Sequence, residues 1–155
     1  MRSRKAVLAA VLVATLWAGS SRAAGGGAEG MEFTLESAGG GRVSLSRFAG
    51  TTPVLLVFWA TWCPHCNAAV PAINDLQSRL SGRLQILAVD YMESRKKVKA
   101  FMKAKNIAYT VLLDSDGKAA RKFRVAGIPT YILLDKQGKV VYFDNALPPS
   151  LEKYL

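Results

Sequence analysis

The chain contains two cysteines, Cys63 and Cys66, which lie three positions apart. A disulfide between them closes a loop too small to restrict the unfolded chain much, so a purely structural role explains the pair poorly. The spacing instead favours redox chemistry, in which two thiols exchange with a disulfide bond. The alternative, half of a zinc site, requires four ligands. Since His65 is the only histidine and lies between the cysteines, the three side chains can hardly converge on one ion, and we expect no metal.

The elements predicted around the pair indicate which sulfur reacts. The apolar run Val54–Trp59 is typical of a strand buried on both faces. Residues 64–80 then carry apolar side chains near one helical stripe, which predicts a helix. Cys63 therefore lies where free backbone N–H groups and the helix dipole favour an anion. Because the thiolate is the reactive form, we predict Cys63 as the nucleophile and Cys66 as the resolving cysteine.

The two residues between the cysteines are predicted to tune the reactivity of the pair. Pro64 fits the first turn of a helix, and the imidazole of His65, when protonated, favours a thiolate beside it. We therefore include both in the catalytic motif and expect a more oxidising couple than two neutral residues would give. Trp62 precedes Cys63, and although a tryptophan here is also compatible with a core position, we predict that it shapes the surface that partners touch.

The rest of the chain predicts one α/β domain over residues 31–155, with a central mixed β-sheet flanked by helices. Alternating apolar residues around the glycines at 39–41 predict an N-terminal β-hairpin extension. The later predicted elements are a buried strand at 84–89, a helix capped by Ser94, an extended segment at 109–113, a short helix ending at Phe123, two strands around a turn at 135–138 and a short helix at 150–155.

Positions 1–23 have the layout of a secretory signal peptide. Basic residues precede an apolar run at 6–18, and small residues suited to a signal peptidase follow it. The run has 13 residues, short of the roughly 20 that cross a bilayer, so we predict cleavage after Ala23, with an uncleaved N-terminal anchor as the alternative. The glycine-rich residues 24–30 are predicted to be a flexible lead. We therefore expect the domain outside the cytosol.

The formal net charge of the chain is +10, with four of these charges in positions 1–23. Most other basic residues lie at 95–105 and 118–124, in segments that also show apolar residues at helical spacing, as is typical of solvated helix faces. No aromatic or glycine-rich binding motif is interleaved with them, so we expect no nucleic-acid partner. An acidic partner protein or an anionic membrane surface stays compatible with this charge.

The run at 58–66, Pro71 after it and the later Gly-Ile-Pro-Thr at 127–130 resemble the thioredoxin superfamily. The signal peptide, the hairpin, the extra helix after Asp90 and the segment at 111–117 are similar to its TlpA/ResA branch of bacterial periplasmic proteins. The resemblance covers roughly residues 33–143 and implies an α/β thioredoxin-like fold.

This resemblance implies functions for residues far from the cysteines. Pro129 would be a cis-proline facing the sulfurs, and Ile128 would offer backbone hydrogen bonds to a bound peptide, so both join Trp62 as predicted substrate-binding residues. It also implies a periplasmic thiol reductase or disulfide exchanger, often serving cytochrome c maturation, that acts on client proteins with cysteines and is recharged by a membrane redox partner. We expect a monomer whose only redox group is the Cys63–Cys66 pair, without a separate cofactor.

The chain departs from the family at two acid/base positions. Val57 stands where thioredoxins have a buried aspartate, and Ala69 stands where ResA-like proteins have a glutamate. The residues leave open whether exchange is slower here or whether His65 or water substitutes.

Several activities stay open from the sequence. The motif Cys-Pro-His-Cys is also that of DsbA, at the oxidising end of the scale, although the helical insertion of such oxidases does not fit this length. A reductase or exchanger is our prediction, and a DsbA-like net oxidase is the alternative. A thioredoxin-like module that only binds clients, as a chaperone does, is a further alternative. A thiol peroxidase fits the cysteine spacing less well.

Overall fold

The computed structural model describes residues 31–155, so the predicted signal peptide at 1–23 and the glycine-rich lead at 24–30 lie outside the described residues. The described part contains seven strands in one sheet and three α-helices. The strands are β1 (Thr34–Ser37), β2 (Arg42–Ser44), β3 (Val54–Trp59), β4 (Gln85–Tyr91), β5 (Thr110–Asp114), β6 (Thr130–Leu134) and β7 (Val140–Asp144). The helices are α1 (Pro64–Arg79), α2 (Arg95–Ala104) and α3 (Lys118–Lys122).

The sheet is mixed, with strand order β2-β1-β5-β4-β3-β6-β7. Strands β3, β4 and β5 pair in parallel, whereas β1, β2, β6 and β7 are joined to the sheet by antiparallel pairing. The parallel connections run through helices, as parallel pairing requires. The predicted central mixed sheet flanked by helices and the N-terminal hairpin are confirmed.

Strand β3 lies inside the sheet between β4 and β6, and all six of its residues are buried. Its side chains alternate between the two sheet faces, as strand geometry requires. Val57 and Trp59 join the core on the face that also holds the two cysteines, while Leu56 and Phe58 join the core on the opposite face. The last residue of β3 is thus followed by a short loop that leads to the cysteines at the start of α1.

The hairpin between β1 and β2 turns through glycines with positive φ angles, 115° at Gly40 and 75° at Gly41. Side chains with a Cβ rarely adopt this conformation, which explains glycine at this turn. The predicted alternation at 33–48 does not continue as a strand, because Leu45–Phe48 forms a 3-10 turn that buries Leu45. Leu45 and the half-buried Phe48 lie three positions apart, a spacing that suits such a turn.

Two further boundaries differ from the prediction. Strand β4 continues past the predicted end to Tyr91, because its pairing with β5 extends to Asp114. The predicted C-terminal helix is a single 3-10 turn, Glu152–Tyr154. Among residues 31–155, none of the helices has the length and the hydrophobicity to span a membrane.

Candidate active site

Cys63 is the N-cap residue of α1 and is disulfide-bonded to Cys66, with the two Cα atoms 5.2 Å apart. The backbone N–H of Cys66 donates to the Cys63 sulfur at 3.2 Å. This contact uses one of the free N–H groups of the first helical turn, which would stabilise a thiolate at Cys63 once the disulfide is reduced. Both cysteines are buried, with exposed fractions of 4% and 3%.

A loop from the far end of the chain covers the disulfide. The Ile128–Pro129 peptide bond is cis, as the resemblance implied. The carbonyl oxygen of Ile128 lies 3.8 Å from the Cys63 sulfur, which carries no proton in the disulfide but could donate one there as a thiol. Asn145 fixes this loop, because its side-chain amide donates to the carbonyl of Pro129 at 2.7 Å.

The rim of the disulfide is apolar and open to solvent. Trp62 is 60% exposed directly before Cys63, which agrees with a surface position and not a core position. A cavity beside it is lined by Trp62, Tyr91, Val125, Gly127 and Ile128.

The remaining predicted residues lie at the same end of the sheet. Pro64 is the first residue of α1, and both it and His65 are exposed. Val57 is buried between Ala88 of β4 and Tyr131 of β6, so apolar or aromatic neighbours surround the position where thioredoxins have an aspartate. Ala69 packs against the same core and brings no polar group to the sulfurs.

A buried carboxylate holds the loop between β3 and α1. Glu93 accepts hydrogen bonds from the backbone N–H of Thr61 at 2.6 Å and from its hydroxyl at 2.7 Å. The ammonium group of Lys97 lies 2.5 Å from the Glu93 carboxylate. From the other side, the Asn67 side chain donates to the carbonyl of Thr61 at 3.0 Å. The loop that ends at Cys63 is therefore fixed from both sides.

A second carboxyl group lies beside Glu93. Asp90 has no exposed surface, and its Oδ1 accepts the backbone N–H of Glu93 at 3.3 Å. Burial, together with the Glu93 carboxylate, raises the pKa of Asp90 to about 8. Burial alone would also raise the pKa of Glu93, but hydrogen bonds from Lys97 and Thr61 outweigh it and hold that pKa below its usual range. Asp90 is therefore neutral and Glu93 ionised at neutral pH.

The sequence places this arrangement within a known family. Residues 27–143 match the AhpC/TSA family. The chain belongs to that family. Its resemblance to ResA-like proteins is confirmed as well, since it is 33% identical to the thiol-disulfide oxidoreductase ResA of Bacillus thuringiensis subsp. konkukian over 116 residues. This match covers 74% of the chain and 66% of ResA, so the chain spans slightly less than two thirds of that relative.

Solved structures with the same fold include one protein described as an exposed lipoprotein and one described as secreted. The exposed lipoprotein thioredoxin Etrx1 of Streptococcus pneumoniae strain TIGR4 aligns with a TM-score of 0.68 at 28% identity, covering 76% of this chain and 90% of Etrx1. A secreted Mycobacterium tuberculosis disulfide oxidoreductase homologous to DsbE of E. coli aligns with a TM-score of 0.70 at 24% identity, covering 79% and 89%. The predicted thioredoxin-like fold of this AhpC/TSA family member is thereby confirmed.

Four polar residues of this family member were not assigned to the site from the sequence. The sequence marks Asp90 only as the residue between a predicted strand and the extra helix, and Glu93, Asn67 and Asn145 have no predicted role. An acidic residue that ends a buried strand is a usable signal for Asp90. Nothing in the spacing of the other three indicates that they contact Thr61 or the cis-proline loop.

Within residues 31–155, no group of three or more His, Cys, Asp or Glu side chains is placed to hold a metal ion. Glu93, Asn67 and Asn145 each hydrogen-bond the backbone of one of the two loops around the disulfide.

Proposed function

We propose that this chain is a thiol–disulfide oxidoreductase that acts outside the cytosol on client proteins containing cysteines or disulfides. The observation that carries this proposal is the Cys63–Cys66 disulfide at the first turn of α1, opposite the cis-proline loop and beside an exposed apolar rim. The oxidoreductase names of ResA and of the Mycobacterium tuberculosis protein support it. The secreted or exposed character of two structural relatives supports the location, as does the predicted signal peptide.

In the reducing direction, the thiolate of Cys63 attacks one sulfur of a client disulfide. The client S–S bond breaks, its second sulfur leaves as a thiolate that takes up a proton, and a mixed disulfide joins Cys63 to the client. Cys66 then loses its proton and attacks the Cys63 sulfur, which releases the first client sulfur as a thiolate and restores the Cys63–Cys66 bond. The client gains two electrons, and the cysteine pair loses them.

The first step depends on how readily Cys63 ionises. The N–H of Cys66 points at the Cys63 sulfur, and the dipole of the 16-residue helix α1 has its positive end there. Pro64 keeps the first turn in helical geometry without needing a hydrogen-bond partner for its nitrogen. His65 is exposed next to the disulfide, where its protonated form would favour the thiolate further.

We infer that clients bind as extended segments between Trp62 and the loop of Ile128 and Pro129. The exposed indole of Trp62 offers an apolar face on one side of the disulfide. On the other side, the backbone of Ile128 approaches the Cys63 sulfur and can hydrogen-bond a peptide alongside it. Backbone recognition of this kind suits a protein that must accept clients of different sequence.

The direction of net electron flow follows from the reduction potential of the pair. We propose a periplasmic reductase or exchanger, recharged by a membrane redox partner and with cytochrome c maturation as a candidate client pathway. The exposed histidine beside Cys63 favours the second candidate, a DsbA-like oxidase. Equilibration in glutathione buffers decides between them, because a tenfold change in the equilibrium constant corresponds to about 30 mV for this couple.

The proposed chemistry is tested by trapping clients. In Cys66→Ser, the resolving sulfur is missing, so mixed disulfides between Cys63 and clients accumulate and dissolve on adding a reductant. The matched control, Cys63→Ser, keeps the single buried Cys66 in the first turn of α1 and traps far less. Client binding that survives in Cys63→Ser at full strength, with an empty trap in Cys66→Ser, would instead support the module that only binds clients.

A further inference from the structure

Asp90 and Glu93 lie on the same sheet face as the redox cysteines. Asp90 ends the buried part of β4 and is the register partner of Trp59, the last residue of β3. Register partners in neighbouring parallel strands point to the same face of a sheet. Trp59 belongs to the core cluster that contains Cys63 and Cys66. The two carboxyl groups are therefore behind the loop that carries the disulfide, and the exchange steps described above do not use them.

The polar contacts of Asp90 and Glu93 indicate that the two carboxyl groups together hold one proton. The Glu93 carboxylate receives three donors, the N–H and hydroxyl of Thr61 and the ammonium group of Lys97. No donor within residues 31–155 reaches Oδ2 of Asp90. Its ionisable neighbour is Glu93, whose backbone N–H donates to Oδ1 of Asp90 at 3.3 Å and whose carboxylate adds to the burial that raises the pKa of Asp90. A proton on Asp90 satisfies both side chains, whereas two adjacent buried negative charges would repel each other.

We propose that Asp90 and Glu93 form a proton-sharing pair that couples proton uptake to the redox state of Cys63 and Cys66. The proposal rests on the function proposed above, and it assigns these residues as positioning residues that act on the sulfurs through charge. Asp90 in β4 and Glu93 just before the N-cap of α2 would supply the titratable carboxyl group that Val57 and Ala69 do not provide in this chain.

The strength of the coupling follows from the distance between the charges. Glu93 binds Thr61, and Cys63 is two residues further along the chain. Two residues span at most about 7 Å, so the carboxyl pair and the Cys63 sulfur are separated by roughly 10 Å. At an effective dielectric constant of about 20, two like charges at roughly 10 Å change a protonation equilibrium about tenfold. A thiolate at Cys63 therefore strengthens proton binding by the pair about tenfold.

Other ionisable groups on this face affect the pair in defined ways. Lys97 of α2 lies against Glu93 and keeps it ionised. Tyr109 and Tyr131 are buried in the same core cluster, and burial raises the pKa of each, so they stay neutral. From the neighbouring strands, Trp59 and Leu113 pair with Asp90 and bring no charge.

The proton balance of reduction then changes with pH. When the Cys63–Cys66 bond accepts two electrons and breaks, one proton binds Cys66 and Cys63 is left as a thiolate. The new charge makes the pair retain its proton to higher pH. The pKa of the pair is therefore higher in the reduced protein than in the oxidised protein. At a pH between these two values, reduction takes up about half a proton more than the sulfurs alone bind, as a tenfold coupling requires.

The test compares the wild type with Asp90→Asn in dithiothreitol buffers of fixed redox poise. At about pH 6.5 both proteins carry one negative charge at the pair, and we expect the same ratio of reduced to oxidised protein. At about pH 9.5 the wild-type pair carries two charges and disfavours the thiolate, so Asp90→Asn is expected to be about tenfold more reduced. Asp114→Asn is the control, because it changes a buried carboxylate that accepts backbone N–H groups of α3. We expect its ratio of reduced to oxidised protein to follow that of the wild type at both pH values.

A second measurement uses the wild type alone. Infrared spectra are expected to show the carbonyl band of one protonated buried carboxyl group near pH 7, and its titration is expected to move up by about one pH unit on reduction. The proposal is overturned if the ratio of reduced to oxidised protein differs between Asp90→Asn and the wild type by the same factor at both pH values. It is also overturned if the titration of the carbonyl band is the same in the oxidised and the reduced protein. If the wild type forms no reversible Cys63–Cys66 bond at all, the proposed function fails and the coupling fails with it.

Discussion

Replacing Asp90 by asparagine changes how the stability of the protein depends on pH. Asp90 is fully buried, and its pKa is raised from 3.8 to about 8 by burial and by Glu93. Between these two values the native state holds a proton that the unfolded state has lost, so the wild type loses stability as the pH rises from about 4 to about 8. Asparagine keeps the carbonyl oxygen that accepts the Glu93 N–H and has no proton to lose.

The size of the effect follows from the same values. A rise from 3.8 to about 8 at about 1.4 kcal/mol for each pH unit sets an upper limit of about 6 kcal/mol. Water entry and side-chain rearrangement around an ionised Asp90 make the actual change smaller than this limit. We expect the unfolding free energy of Asp90→Asn, relative to that of the wild type, to rise by at least about 2 kcal/mol between pH 4 and pH 8. Above about pH 8 the difference levels off.

Urea denaturation of the oxidised protein at a series of pH values measures this difference. Asp114→Asn is the matched control, because it replaces another buried carboxylate, one that accepts two backbone N–H groups of α3, and we expect it not to produce the rise. Two parallel stability curves for wild type and Asp90→Asn between pH 4 and pH 8 would show that Asp90 is already ionised in the native protein. Asp90 and Glu93 would then not share a proton.

Three further predictions test other contacts. In Asn145→Ala, the cis-proline loop loses the hydrogen bond to the carbonyl of Pro129, and we expect a loss of about 1 kcal/mol in unfolding free energy. Client exchange in stopped-flow assays is expected to be slower, and an unchanged exchange rate would exclude a role of Asn145 in holding the loop. In His65→Ala, the pair becomes more reducing by roughly 30 mV, or about tenfold, in glutathione equilibration, and an unchanged potential would remove His65 from the tuning of the pair. Ser94→Ala removes the hydroxyl that caps α2 and costs about 1 kcal/mol in thermal or urea unfolding, with Ser78→Ala on the exposed face of α1 as a neutral control.

The parts of the site predicted from sequence are those that local patterns determine. Cys63 is the N-cap of a helix because a buried strand ends just before it and Pro64 can begin a helix. The hydrophobic run of β3 predicted its buried central position, since an apolar strand without alternation has no face for solvent. The cis conformation at Pro129 came from a family motif, which spacing alone does not indicate.

The sequence by itself determined the redox pair, the order of strands and helices and the α/β class, because these follow from residue spacing and hydrophobic period along the chain. Only the tertiary structure decided what surrounds the disulfide. Glu93 contacts Thr61 across 32 positions and Asn145 contacts Pro129 across 16, and both contacts exist because parallel and antiparallel pairing brings the strand ends together. The proton affinity of Asp90 likewise depends on burial and on a neighbouring charge, which packing in three dimensions creates.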